Sequence, residues 1–105
     1  MKVLILASAQ ADLLALRGYI VKNFSTATWK TTYTKLKTSI QNLATFPLLG
    51  GIPPELESLN LTQYRQILSG VNRVIYEVRQ DAVYVHLIVD ARRDLKEVLM
   101  QRLLR

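Results

Sequence analysis

The chain contains no cysteine and a single histidine, His86. The first absence excludes a disulfide framework, a thiolate nucleophile and any cysteine-based metal centre. The second excludes a metal site built from several imidazoles. There is no G-x-S-x-G elbow to present a nucleophilic serine. Gly50-Gly51 is not a phosphate loop, because no lysine or serine follows at the required spacing. No metal or cofactor is therefore expected. Long apolar runs are also missing. None approaches the ~18 residues of a membrane span. The apolar stretch Val3–Ala7 is shorter than the ~7–15-residue core of a signal peptide. These absences point to a soluble, cytoplasmic protein with no membrane partner.

What is present is an ordinary globular composition with a basic excess. The 105 residues, 50% hydrophobic and 21% charged, suffice for one core and one domain, 1–105. Lys and Arg number 14 against 8 Asp and Glu, a net charge of +6. Such a surface suits nucleic acid, an anionic membrane or an acidic protein. The plainer alternative is that the charge only keeps the chain in solution.

Lys2 to Ala7 reads as a strand, with β-branched Val3 and Ile5. Ser8 is a plausible N-cap for a helix to about Asn23, with Asp12 near its positive end. Ala9, Leu13, Leu16, Ile20 and Phe24 recur on one helical face. Gly18 weakens that helix slightly. Ser25 or Thr26 caps a second helix, whose stripe is Trp29, Tyr33, Leu36, Ile40 and Leu43. Lys30, Lys35 and Lys37 lie off the stripe. Trp29 and Tyr33 read as core residues. Phe46-Pro47 ends the helix, since the residue before proline avoids helical geometry. The two helices form an antiparallel hairpin. Leu48 to Leu61 is a loop with one short turn near Leu56, and Glu55 and Glu57 read as solvated.

The stretch Tyr64 to Asp94 organises the rest. Ser69-Gly70 and Gln80-Asp81 are tight turn signals between runs rich in Val, Ile and Tyr. Turns so short make the three strands antiparallel neighbours. Val74, Tyr76 and Val78 share one face of the middle strand, opposite Arg73, Ile75, Glu77 and Arg79. By the same alternation Val83, Val85, Leu87 and Val89 share a face, opposite Tyr84, His86, Ile88 and Asp90. A third helix starts near Arg92. Leu95, Val98, Leu99 and Leu103 form its stripe, and Arg93, Lys96, Arg102 and Arg105 its basic side. Arg65, Arg73, Arg92 and Arg93 are expected to come close together on this small sheet.

That cluster has two readings. Arginines on a rigid sheet hold phosphates bidentately and stabilise a phosphoryl-transfer transition state. RNA cleavage through the 2′-hydroxyl also needs an acid and a base. His86 and Tyr64, Tyr76 or Tyr84 are the residues of suitable type, each equally at home as a packing group in a strand. Asp90 beside Arg92 and Arg93 reads as an ion pair, not a metal ligand. Arg73 reads equally as an anchor for a carboxylate such as Asp90.

Several motifs together resemble toxins of the RelE/ParE superfamily, the toxic halves of bacterial type II toxin–antitoxin pairs. They are SAQADLLALRGYI, FPLLG, NRVIYEV and VHLIVDARRDLKEVLMQRLL, spread over nearly the whole chain. The resemblance implies an α+β fold of order β-α-α-β-β-β-α: a small antiparallel sheet with an N-terminal helical hairpin and a C-terminal helix. RelE-like members cut messenger RNA on the ribosome, whereas ParE-like members bind and poison DNA gyrase. Matched position by position, Arg73 and Arg92 fall on RelE-type arginines and Arg65 on a basic position of the first meander strand. Ile67 stands where a second basic residue would be. Val98 or Leu99 stands in place of the C-terminal tyrosine, and Asp90 where many relatives carry histidine. These departures remove the acid and base.

The long hairpin and the ending ARRDLKEVLMQRLL are closer to ParE. The resemblance thus implies a gyrase inhibitor that docks through Arg65, Arg73, Arg92, Arg93, Lys96 and Arg102. The alternative is a ribosome-dependent mRNA endoribonuclease using Arg65, Arg73, His86 and Arg92. A third reading is an inactive toxin that only binds its antitoxin. The implied partner is a cognate antitoxin whose disordered segment folds over basic and apolar surface near the hairpin and sheet.

Overall fold

The structure, a computed structural model, describes residues 1–103. The Leu103 side chain and Arg105, expected on the last helix, lie outside what it describes. The elements run β1 (Lys2–Ile5), α1 (Ala7–Asn23), α2 (Thr26–Asn42), α3 (Pro54–Glu57), β2 (Tyr64–Ser69), β3 (Asn72–Arg79), β4 (Ala82–Asp90) and α4 (Leu95–Leu103). This is the expected α+β order, with α3 as the short turn near Leu56. The sheet order is β1-β4-β3-β2. Strands β2, β3 and β4 form the antiparallel meander. Strand β1 joins β4 in parallel, so the complete sheet is mixed.

Both hairpin turns have two residues, Gly70-Val71 and Gln80-Asp81. The first residue of each has positive φ, +59° at Gly70 and +49° at Gln80. Mirror-image turns of this kind match the twist of the flanking strands. Gly70 adopts that φ without steric cost, whereas Gln80 bears some strain.

The hairpin α1–α2 covers one face of the sheet. Ala9, Leu36, Ile40, Leu43, Val74, Tyr76, Val83, Val85 and Ile88 form the core there. Ser25 caps α2 as expected, accepting from Thr28 N–H at 3.0 Å. Ser8 does not cap α1. The N-cap is Leu6, with no side-chain hydrogen bond, and Ser8 Oγ donates to His86 O instead. The α2 stripe is buried only in its second half. Tyr33 is 42% exposed and Trp29 half-buried, the two rings 5.4 Å apart. Both line an opening with Leu13, Leu14 and Arg17 of α1, and Tyr33 also borders a second one with Val3 and Ile5 of β1. With openings on either side left unfilled, these aromatics are not core. Phe24 is likewise exposed.

The second core, on the opposite face, gathers Leu56, Ile75, Leu87, Val89, Leu95 and Val98 under α3 and α4. Its membership corrects the alternation expected of β4. Tyr76 pairs with Val85 but Ile75 with Leu87, leaving His86 as an extra residue. One extra residue reverses the face of everything after it. Val83 and Val85 therefore face the hairpin, while Leu87 and Val89 face α4.

Candidate functional site

The expected arginine cluster is not assembled. Arg65 pairs across the ladder with Tyr76, and Arg73 with Leu68. Cross-strand partners share a face and neighbours alternate, so Arg65 and Arg73 lie on opposite sides of the sheet. Each has its own task.

On the hairpin side, Tyr76 is fully buried. Its hydroxyl donates to Pro47 O at 2.8 Å and accepts from Gly50 N–H at 2.9 Å. Burial raises the pKa of that phenol, which keeps it a neutral donor. Arg65 Nη1 donates to Gly50 O at 2.7 Å. The two side chains thus hold the Pro47–Gly50 loop against the edge of β2, where Gln66 N–H reaches Gly51 O. A Cβ at Gly50 would stand 2.1 Å from Gln66 O. Glycine at this position is therefore required by the close approach.

On the other side, Arg73 is buried to 7% exposure. Its fork meets Glu55 at 2.7 and 3.1 Å, and Nε donates to Gln66 Oε1 at 2.7 Å. All three guanidinium nitrogens are engaged. The partner carboxylate comes from α3, not from Asp90, and Glu55 is not simply solvated. Its bonds from Arg73 hold the Glu55 carboxyl below the usual range, against the opposing effect of burial.

Arg92 chelates Asp90 at 2.9 and 2.7 Å. Side-chain and backbone hydrogen bonds from Arg92 hold Asp90 down to about 2. This ion pair is the one expected. Arg93 and Lys96 are exposed, and neither side chain has an ion-pair partner among the described residues. Arg102 leaves the basic face expected of it. It donates to His86 O at 2.9 Å and pairs with Asp12 at 2.6 Å. Asp12 also accepts from Ile88 N–H at 3.0 Å. Strand β1 covers β4 only as far as Val85. Past that point Ser8, Asp12 and Arg102 satisfy backbone groups that the bulge and the short β1 leave free.

His86 Nε2 lies 2.9 Å from Glu77 Oε1, and its ring meets Tyr64 edge-on at 5.2 Å. Arg79 binds the same Glu77 at 2.9 Å. Burial works to raise the Glu77 pKa, but hydrogen bonds from Arg79 and His86 outweigh it and keep the carboxyl low. An imidazole oriented by a carboxylate can move a proton. Here, however, Arg73 is committed to Glu55, and Arg65 lies across the sheet.

A groove of about 730 Å³ opens between α1, the start of α2 and the end of the β3–β4 ladder. Leu16, Ile20 and Ile88 contribute apolar surface, Tyr19, Phe24 and Val71 stand exposed beside it, and Arg92 and Arg93 border it. Neither the groove nor the roles of Glu55, Gln66 and Asp12 were visible in the sequence. Their partners lie 18, 7 and 90 positions away respectively, and no periodicity reports such contacts.

A mixed four-stranded sheet with a helical hairpin on one face and a terminal helix on the other is the architecture of the RelE/ParE type. Residues 3–95 match the family of the ParE toxin of the type II toxin–antitoxin system, parDE. The chain belongs to that family. Its fold is similar to a chain of the chromosomal ParDE toxin–antitoxin system from P. aeruginosa, with a TM-score of 0.71 and 15% identity. That similarity covers 86% of this chain and 95% of the other. No curated protein matches significantly by sequence.

Proposed function

We propose that this ParE-family toxin inhibits DNA gyrase by docking and is neutralised by a cognate antitoxin. The observation that carries the reading is the internal commitment of the arginines a nuclease would need. All three guanidinium nitrogens of Arg73 are bonded to Glu55 and Gln66, and Arg65 holds Gly50 O. A transition-state clamp requires donors aimed at the developing charge, not at fixed carboxylates. Arg92, Arg93 and Lys96 remain on the surface, where a basic patch steers association with an acidic partner. Arg65, Arg73 and Arg102 act in this reading by holding the scaffold. The setting is the cytoplasm, where gyrase and ribosomes both work.

The test expresses the toxin with limiting antitoxin and compares gyrase supercoiling with transcript cleavage on ribosomes. Loss of supercoiling with intact transcripts is expected. Rapid transcript cutting with unaffected gyrase would overturn the proposal and point to His86 and Glu77.

A further inference from the structure

The helical hairpin sets accessible aromatic rings beside unpaired cations. Helices α1 and α2 carry five basic residues, Arg17, Lys22, Lys30, Lys35 and Lys37, against the single acid Asp12. Asp12 is engaged by Arg102 and Ile88 N–H. Arg17 and Lys37 are exposed, and neither has an ion-pair partner among the described residues. Tyr33, 42% exposed, borders two openings. One, of about 350 Å³, also holds Trp29 and Arg17. The other, of about 190 Å³, also holds Lys37. Each opening thus joins an aromatic wall to one free cation.

The arrangement selects among acidic partners. An extended peptide would find no ladder to join, because the backbone around both openings is mostly helical and already bonded. A partner helix needs a continuous apolar groove, whereas Tyr33 stands between two small openings and each contains a cation. Duplex DNA presents phosphates and base edges but hides the base faces. An unpaired nucleotide offers both parts in one unit: a flat face to stack on a ring and an anion for the neighbouring cation.

We propose that Trp29 and Tyr33, with Arg17 and Lys37, form a binding site for a short single-stranded stretch of DNA. A base entering the larger opening would stack on Trp29 or Tyr33, with its phosphate held by Arg17. The adjoining nucleotide would occupy the smaller opening against Tyr33, with its phosphate held by Lys37. The choice of DNA over RNA rests on the gyrase reading above, since gyrase works on DNA; the stacking chemistry does not.

Trp29 is the chain's only tryptophan, so its emission reports the site directly. The probe is unlabelled decathymidylate, titrated into the full toxin. Saturable quenching of Trp29 is expected, with a slope of about −1.4 in log affinity against log salt for two phosphate contacts. Tyr33→Leu should weaken binding about tenfold, and Tyr33→Phe should restore it, because the ring and not the hydroxyl stacks. Arg17→Gln and Lys37→Gln should each weaken binding several-fold and reduce the slope by about 0.7. Lys35→Gln removes the same charge from an exposed position of α2 that lines neither opening, and should leave binding unchanged. The proposal is overturned by no saturable quenching, by equal losses in Lys35→Gln and Lys37→Gln, by equal quenching with duplex DNA, or by tighter binding of decauridylate. If decathymidylate fails while the toxin still inhibits gyrase, the nucleotide site alone is lost. If it binds while gyrase is unaffected, the docking reading is lost and the site stands.

Discussion

Two regions of the molecule, the pocket under α3 and the rim of the groove beside α1, treat their arginines in opposite ways. Under α3 and α4, Arg73 is enclosed and every nitrogen of its guanidinium is bonded within the protein. Beside α1, Arg92 and Arg93 border an open groove and remain exposed. The residue type is the same, but the environment assigns different work. A buried guanidinium is fixed by its partners and serves the fold. An exposed one has only weak local bonds to give up and is available to another molecule. A count of basic residues therefore overstates the surface that a target can meet.

The sharpest way to break this comparison is to strip Arg73 of its carboxylate. Glu55→Ala leaves a buried, uncompensated charge and should cost about 3 kcal/mol in denaturant unfolding. The joint replacement Glu55→Leu with Arg73→Met should restore most of that loss, because an apolar pair of similar size has no charge to desolvate. If Glu55→Ala changes nothing, Arg73 is not structurally committed. Next in size is Tyr76→Phe. It strands the Gly50 N–H and the Pro47 carbonyl, and should cost about 2 kcal/mol by the same measurement.

Acid sharpens the contrast further. The carboxyls of Glu55, Glu77 and Asp90 all lie below their ordinary values. Their native forms bind protons less readily than the unfolded chain does. The stability they supply is present above their unfolded pKa of about 4 and is lost as pH falls through the native values. For Asp90 that native value is about 2. Thermal unfolding should therefore worsen steadily between about pH 4 and pH 2. Asp90→Asn should flatten the lower part of that slope. The smallest effect on stability belongs to Arg93→Ala, within about 0.5 kcal/mol of the parent. In the gyrase assay it should instead weaken inhibition, most at low salt, with the deficit shrinking as salt is raised.

Much of the architecture could be read from periodicity and turn residues. Gly70 and Gln80-Asp81 mark both hairpins, Ser25 marks the start of α2, and the α4 stripe places Leu95 and Val98 in a core. Sequence reasoning failed where one residue interrupted a period or where a contact spanned the chain. The extra residue at His86 reversed the faces of Leu87 and Val89, and nothing in a run of apolar residues signals a bulge. Trp29 and Tyr33 kept a helical stripe where the openings on either side are left unfilled. Among the candidate residues, the Asp90–Arg92 pair was legible because it is local. The Arg73–Glu55 pair was not, because α3 is placed by packing of Leu56 and not by any motif around Glu55.

Gyrase inhibition by the Glu55→Leu, Arg73→Met double replacement tests the central claim most directly. If Arg73 serves the fold alone, the folded variant should inhibit supercoiling as well as the parent does. A folded variant that has lost toxicity by a hundredfold or more, the scale on which a transition-state donor is missed, would contradict the account.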